Sequence, residues 1–349
     1  NADGSTAFTG RGGAIYTQER LSLRDVVIAD STATEVGGAV AALARLTVVD
    51  STIIGNSAAQ GGGGIWVGGV GTTMESSTVT GNYAPMGGGM LVSVDAFTRV
   101  VNSTFSGNSA DRGGGVFVAI GDLALSYSTI ASNSAKTSGG GIATSNFISH
   151  VGIDHTIIAA NSADMAADLD FDFPLMDQTT TFSLIGDNSG TAIAEAQLPN
   201  ANGNLVGSPI GGGVIDPGLA PLGNNGGPTQ THALLAVSPA LDAGDPHIDG
   251  GHIVVPQFDQ RGALFQRIVD GNGDGIARID MGALESQMIL GCDLDGDNDC
   301  EIDDIDALVT TIVAATNLPQ FDLTGDGLVD LHDRDAWLVA AGEHNLGPG

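Results

Sequence analysis

The sequence has little positive charge. Its 349 residues carry 11 lysines and arginines against 41 aspartates and glutamates, net −30, and Lys136 is the single lysine. A surface of that sign repels phosphate backbones and anionic lipid, which excludes nucleic acid and acidic membrane surfaces as partners. No apolar run approaches the ~20 residues that span a bilayer, so no membrane insertion is expected. Cysteine is nearly absent. Cys292 and Cys300 cannot make a disulfide framework, although one Cys292–Cys300 bridge would suit an exported protein. The chain opens on polar residues with no secretory leader, as a mature or trimmed terminus would. No Ser-His-Asp order and no zinc-ligand spacing stands out. The four glycines at 61–64 lack the Lys-Ser/Thr and the helix of a phosphate loop.

What is present is glycine, and it is periodic. The 53 glycines are about twice average usage. One phrase returns: STIIGNSAAQGGGGI (51–65), STVTGNYAPMGGGM (77–90), STFSGNSADRGGGV (103–116) and STIASNSAKTSGGGI (128–142). Weaker copies stand at DVVIADSTATEVGGAV (25–40) and HTIIAANSAD (155–164). The apolar residue after the glycines falls at Ile15, Val40, Ile65, Met90, Val116 and Ile142, in steps of 25, 25, 25, 26 and 26. The polar residue of the GNSA segment falls at Asp30, Asn56, Asn82, Asn108, Asn133 and Asn161.

Each repeat reads as short strands punctuated by Gly and Asn-Ser, with no amphipathic helix of useful length. A 25-residue unit cannot bury a core alone, but stacked units bury one continuous core. The expected fold is all-β: a right-handed parallel β-helix of about 25–26 residues per coil, with a small C-terminal α-helical EF-hand-like calcium module. Stacked copies of Asn56, Asn82, Asn108, Asn133 and Asn161 would bond coil to coil as a structural ladder. The glycines permit close backbone approach and positive φ at a corner.

The GGAI at 12–15 and FSGN at 105–108, with GGGI, GGGM and TxxxN variants elsewhere, resemble the repeats of polymorphic outer-membrane proteins. That resemblance covers roughly 10–163 and implies the fold rather than a chemistry.

After Asn161 the phrase breaks down. Asp164, Asp168, Asp170, Asp172 and Asp177 read as an acidic loop or coil insertion. Alternation resumes at TTFSLIGDN (180–188) and GNLVGSPI (203–210), read as less regular coils. The strings DPGLAPLGNNGGPTQTHALLAVSPALDAGD (216–245), DQRG (259–262) and DGNGDGIARIDMGALE (270–285) resemble the choice-of-anchor Q region of bacterial surface proteins. The resemblance implies an exported protein with an attachment element after residue 285. His232, Asp242, Asp259, Arg261 and Arg278 could do acid–base work. They read more simply as loop knots closing the open end of the helix. Asp270, Asn272 and Asp274 have the spacing of half a calcium loop, or of a plain Asn/Asp/Gly turn.

Residues 292–349 hold 14 acids and one base, and they resolve into two copies. Asp293, Asp295, Asp297, Glu301 and Asp304 occupy positions 1, 3, 5, 9 and 12 of a calcium loop, with the Asp299 carbonyl at position 7. Asp322, Thr324, Asp326, Asp330 and Asp333 repeat those positions, with the Leu328 carbonyl at 7. A helix is expected after each loop. Its apolar face would use Ile305, Leu308, Val309 and Ile312, then Trp337, Leu338 and Ala341. The tail, with C-D-x-D-G-D at 292–297, resembles a type I dockerin, which implies calcium and a cohesin-like protein partner. Where that family carries small hydroxylated residues, this chain has Ile302–Asp303 and Leu331–His332.

The expected organisation is regular coils over 1–163, irregular coils and a closing region over 164–288, and the paired-loop module over 289–349. The expected function is a non-catalytic secreted or cell-surface structural or adhesive rod. It would attach through a cohesin-like partner or a neighbouring subunit, self-assembling head to tail. The competing expectation is a polysaccharide-binding or polysaccharide-degrading β-helix. Hydrolysis needs two carboxylates on one face. The column before each Ser-Thr, taken as Arg24, Asp50, Ser76, Asn102, Tyr127 and Asp154, places no two acids on adjacent coils.

Overall fold

A computed structural model describes residues 10–69, 71–93, 96–145, 149–171, 179–235, 237–247, 255–272, 276–286, 294, 302–316, 321 and 328–346. The chain divides into two compact units: residues 1–269 with 276–285, and residues 270–275 with 286–349.

The larger unit is a parallel β-helix. Successive coils lay their strands in register on three parallel sheets, of seven, seven and eight strands among the described residues. The first sheet pairs Ile15, Val40, Ile65, Met90, Val116, Ile142 and Leu169 in one column. The last step shows that the coil continues through the acidic segment. Leu169–Phe171 is a strand of the first sheet, so this part of the segment is not a loop; Asp172 and Asp177 lie outside the described residues. Further coils supply Thr180–Thr181, Leu184–Ile185 and Leu205–Val206. The outer edge of the last strand is covered: Val206 and Ala196 exchange backbone hydrogen bonds at 2.8 and 2.9 Å.

One core runs the length of the helix, from Leu23 and Leu46 through Ile65, Met90 and Phe105 to Ile185 and Val206. Inward residues alternate with outward ones along the second sheet, as a pleat requires. Ala96–Val101 alternates between buried and exposed before ending buried.

Each coil turns where backbone enters the left-handed region. Gly62 has φ 63°, and its neighbour Gly63 meets the next coil so closely that a Cβ would lie 2.3 Å from the Gly88 carbonyl oxygen. The first glycine therefore supplies a dihedral and the second supplies clearance. At the acidic segment Ala166 takes the positive-φ position, at 52°.

A second positive-φ column precedes the serine of each repeat: Asp25, Asp50, Ser76, Asn102, Tyr127, His155 and Phe182. This corrects the sequence alignment by one residue at two places. Arg24 and Asp154 lie in the neighbouring strand column, Arg24 opposite Val49 and Asp154 opposite Ser126. The acids Asp25 and Asp50 therefore do stand on adjacent coils.

The segment 216–285, where it is described and within the larger unit, is not confined to an end of the helix. It lies along the outer face of the third sheet. Thr78 donates to the Gln230 carbonyl at 2.6 Å, Thr104 donates to Gln260 Oε1 at 2.7 Å, and the Ala283 N–H donates to Thr129 Oγ1 at 3.0 Å. That cover explains the burial. Thr78, Thr104 and Ile157 are fully buried, whereas Val27, at the start of the same sheet, is 70% exposed.

In the smaller unit α1 spans Ile302–Val313 and α2 spans Leu331–Leu346. Leu308, Val329 and Trp337 form a small core with Leu294, Ile305, Ile312 and Phe321. Val309 and Leu338, expected on that face, are exposed.

Candidate functional site

Three groups of polar side chains offered chemistry in the sequence, the structure adds an acid pair, and each of the four has a different setting. The first is the asparagine column. Asn56 Nδ2 donates to Asn82 Oδ1 at 3.0 Å, Asn82 to Asn108 at 2.9 Å, Asn108 to Asn133 at 2.9 Å and Asn133 to Asn161 at 3.0 Å. Each Oδ1 also accepts the backbone N–H of the preceding member, so every buried amide is satisfied. At the N-terminal end Ser31, not Asp30, holds this position: its N–H donates to Asn56 Oδ1 at 2.9 Å. Asp30 instead aligns with Gly55, one residue earlier, and has φ 51°.

The column ends on Asp168. Its Oδ1 accepts from Asn161 Nδ2 at 2.8 Å and from the Asn161 N–H at 3.1 Å, and its Oδ2 accepts from the Asp187 N–H at 2.7 Å. Burial pushes this carboxyl up to about 7, against the three N–H donors that favour the carboxylate. A parallel column of hydroxyls joins Ser51, Ser77, Ser103, Ser128, Thr156 and Ser183, each Oγ accepting the N–H of the coil before.

The second group is the acid pair. Asp50 bonds Arg24 Nη1 at 3.1 Å. Partial burial raises its pKa, with Asp25 adding to the rise and Arg24 opposing it. The later members of that corner column carry rings. Tyr127, His155 and Phe182 stack with centroid separations of 4.9 and 5.2 Å. His155 is fully buried, its Nε2 accepting the Asp245 N–H at 3.1 Å and its Nδ1 3.0 Å from Asp154 Oδ1.

The third group comprises the polar residues of 216–285, which the structure distributes over three places. Asp259 and Arg261 form a buried ion pair at 2.6 Å. His232 Nε2 bonds Ser106 Oγ at 2.9 Å and its Nδ1 bonds the Ala220 carbonyl at 2.7 Å; burial lowers its pKa. A carbonyl oxygen can only accept, so in the neutral ring Nδ1 carries the proton and Nε2 accepts from the serine. Ser106 and His232 are both buried. Asp242 and Arg278 line a cavity of about 400 Å³. Arg267, which the sequence did not single out, is fully buried. It donates to Asn102 Oδ1 at 2.6 Å and to the Gly282 carbonyl at 2.9 Å, with Glu285 Oε2 at 3.6 Å. Burial raises Glu285 well above the ordinary carboxylate range, Asp280 adds to the rise, and Arg267 opposes it.

The fourth group is the paired loops. Asp293, Asp295, Asp297, Asp299, Glu301, Asp322, Thr324 and Asp326 lie outside the described residues, as do Asp274, Cys292 and Cys300. The position-12 carboxylates are described: Asp304 and Asp333 are both buried. Asp304 Oδ1 accepts the Leu294 N–H at 2.6 Å, and Asp333 Oδ2 accepts the Asp330 N–H at 2.8 Å. Buried carboxylates are costly unless they are hydrogen-bonded, paired, metal-bound or neutralised. The one basic residue of 292–349, Arg334, pairs with Asp335 at 2.5 Å. The donor set is all oxygen, which suits a hard cation. Among the described residues alone, no cluster of three or more His, Cys, Asp or Glu forms a metal site. No helix among them is long and apolar enough to cross a membrane.

No family model, no curated protein and no solved structure matches this chain.

Proposed function

We propose that this protein is a non-catalytic, exported β-helical rod that attaches through its smaller unit in a calcium-dependent way. The observation that carries this reading is the equivalence of Asp304 and Asp333. They are buried carboxylates at the same position of two sequence copies, where a calcium loop of that spacing takes its last ligand. Asp293, Asp295, Asp297 and Glu301 with Asp304, and Asp322, Thr324, Asp326 and Asp330 with Asp333, would supply the oxygens, with the Asp299 and Leu328 carbonyls. The likeness to dockerin-type modules makes a cohesin-like protein or a neighbouring subunit the partner. The likeness of 216–285 to choice-of-anchor Q regions agrees with an extracellular or cell-surface location.

Calorimetric titration of the full chain with calcium tests this. Binding should be saturable and lost in an Asp304→Asn/Asp333→Asn variant. Far-UV dichroism should lose helical signal on chelation while the β-helix persists. A chain indifferent to calcium and chelator would overturn the reading.

Cleavage of polysaccharide is the second reading, and the Asp25–Asp50 adjacency favours it. Partial burial and the neighbouring Asp25 charge raise the Asp50 pKa, the direction a general acid requires. Release of reducing ends from a plant or microbial polysaccharide, abolished by Asp50→Asn, would establish it in place of the rod.

A further inference from the structure

Positive charge is scarce in this chain, and where it stands unpaired it is gathered on one face. Arg11, Arg24, Arg112, Arg261 and Arg267 of the larger unit each reach a carboxylate. Arg20, Arg45 and Arg99 are exposed, and among the described residues none of their side chains forms a hydrogen bond or an ion pair. All three lie on the outer face of the second sheet. The Leu21 N–H donates to the Arg45 carbonyl at 3.0 Å, and Leu21 pairs with Leu46, both turned to the core. Arg20 and Arg45, each one residue earlier, therefore stand outward on neighbouring coils. The pairing of Thr72 with Leu46 and with Thr98 continues that column through Gly71 to Phe97.

The column holds a gap. Gly71 has φ 82° and no side chain, and a Cβ there would have Arg45 Nε as its nearest neighbour, 3.8 Å away. Arg20, Arg45 and Gly71 line a cavity of about 270 Å³. Beyond the gap Phe97 is 51% exposed. Two residues further along the strands, the next outward column presents the hydroxyls of Ser22, Thr47 and Thr73 and then Arg99. Glu75 and Asp122 are the acids of the strands from Leu21–Arg24 to Gly121–Ser126, and neither pairs with an arginine among the described residues.

We infer that this face binds an acidic glycan, a carboxylate-bearing sugar chain, with one sugar carboxylate held between Arg20 and Arg45. Like charges on neighbouring strands repel, so the arginine pair lowers stability unless an anion lies between them. Each planar guanidinium can give a carboxylate two parallel N–H bonds. The hydroxyls of Ser22, Thr47 and Thr73 can donate to sugar hydroxyls and accept from them. The exposed part of Phe97 gives the C–H face of a sugar an apolar surface. An acidic peptide would satisfy the arginines alone, whereas an acidic sugar also engages the hydroxyl column, and that favours the glycan. The cavity lies within the larger unit, and the inference concerns binding alone, so it rests on neither the calcium reading nor cleavage.

Isothermal titration calorimetry of the full chain in chelator tests it. The probes are oligogalacturonate, oligoguluronate and hyaluronate fragments, with maltohexaose and poly-glutamate as comparisons. Chelator removes calcium bridges between a polyanion and the protein's own acids. At least one acidic glycan should bind, more tightly than either comparison. Arg20→Gln and Arg45→Gln should each weaken that binding about tenfold or more. The melting temperature should hold or rise in both, because the repulsion is relieved. Lys136→Gln removes an exposed base elsewhere on the coils and should leave binding unchanged. No binding by any of the three glycans, equal or tighter binding of poly-glutamate or maltohexaose, or binding undiminished in an Arg20→Gln/Arg45→Gln double variant would overturn the inference.

Discussion

Asn161 donates its side-chain amide to Asp168 over 2.8 Å, and with that bond the amide column changes from a relay into a stop. Every asparagine above it both accepts and donates along the axis. A carboxylate only accepts, so Asp168 receives three N–H groups and passes none on.

Asp168 gives the protein a specific pH response. Its folded-state pKa of about 7 lies above the ordinary 3.8, so between those values the folded state holds a proton that the unfolded state has lost. Its contribution to stability is therefore greatest below pH ~4, falls as pH rises, and levels off above pH ~7. Asp168→Asn removes this titration. Urea denaturation at a series of pH values should show a flatter profile for the variant, the difference amounting to no more than about 4 kcal/mol at ~1.4 kcal/mol per pKa unit.

The middle of the ladder should be more sensitive than its start. Asn108 accepts from the N–H and Nδ2 of Asn82 and donates to Val79 and Asn133. Asn108→Ala orphans buried donors and should cost about 3 kcal/mol or more. At Asn56 the Oδ1 accepts only from Ser31, itself part-buried, so Asn56→Ala should cost less. Thermal melts of the two variants compare them directly.

Glycines at different positions of the repeats should separate by mechanism. A Cβ on Gly114 would lie 2.4 Å from two backbone oxygens, those of Gly140 and Ser134, and neither can yield. Gly114→Ala should prevent native folding. Gly81 has φ 63° but no neighbour nearer than 3.8 Å, so Gly81→Ala should cost only about 1 kcal/mol. Soluble yield and chemical denaturation distinguish the outcomes.

Arg267 should anchor the segment laid over the third sheet. Arg267→Met removes its bonds to Asn102 and Gly282 and leaves Glu285 buried without that cation. A loss of roughly 3–5 kcal/mol is expected, with faster proteolysis within 255–285. Adding Glu285→Gln should recover part of it, because the uncompensated charge is gone.

The coil was legible in the sequence because its period is short and its marks are chemical. The apolar residue after the glycines recurs at Ile15, Val40, Ile65, Met90, Val116 and Ile142, and those residues share one column of the first sheet. Errors of one residue entered where a mark was missing. Asp30 looked like a ladder member because Ser31 has no amide, and Asp154 looked like a corner because His155 replaces the usual polar residue. The cover formed by 216–285 could not be read at all. Its bonds join residues more than 100 positions apart, such as Ser106 to His232, and no local period encodes them. The outward Thr78 and Thr104 were the available signal, since they are polar in every case where a loop now bonds them. Asp168 was hidden among neighbouring acids and is distinguished from them only by its burial.

The one-way amide column also gives the rod a sense of direction. Along the ladder each Asn side chain donates to its neighbour on the C-terminal side and accepts from its neighbour on the N-terminal side, so the two ends of the column are chemically unlike. Among the described residues the column begins with the Ser31 N–H, a donor, and ends on the Asp168 carboxyl, which receives three N–H groups. The coils themselves run on past Asp168 through Leu184–Ile185 and Leu205–Val206, so this polarity belongs to the ladder and not to the length of the solenoid.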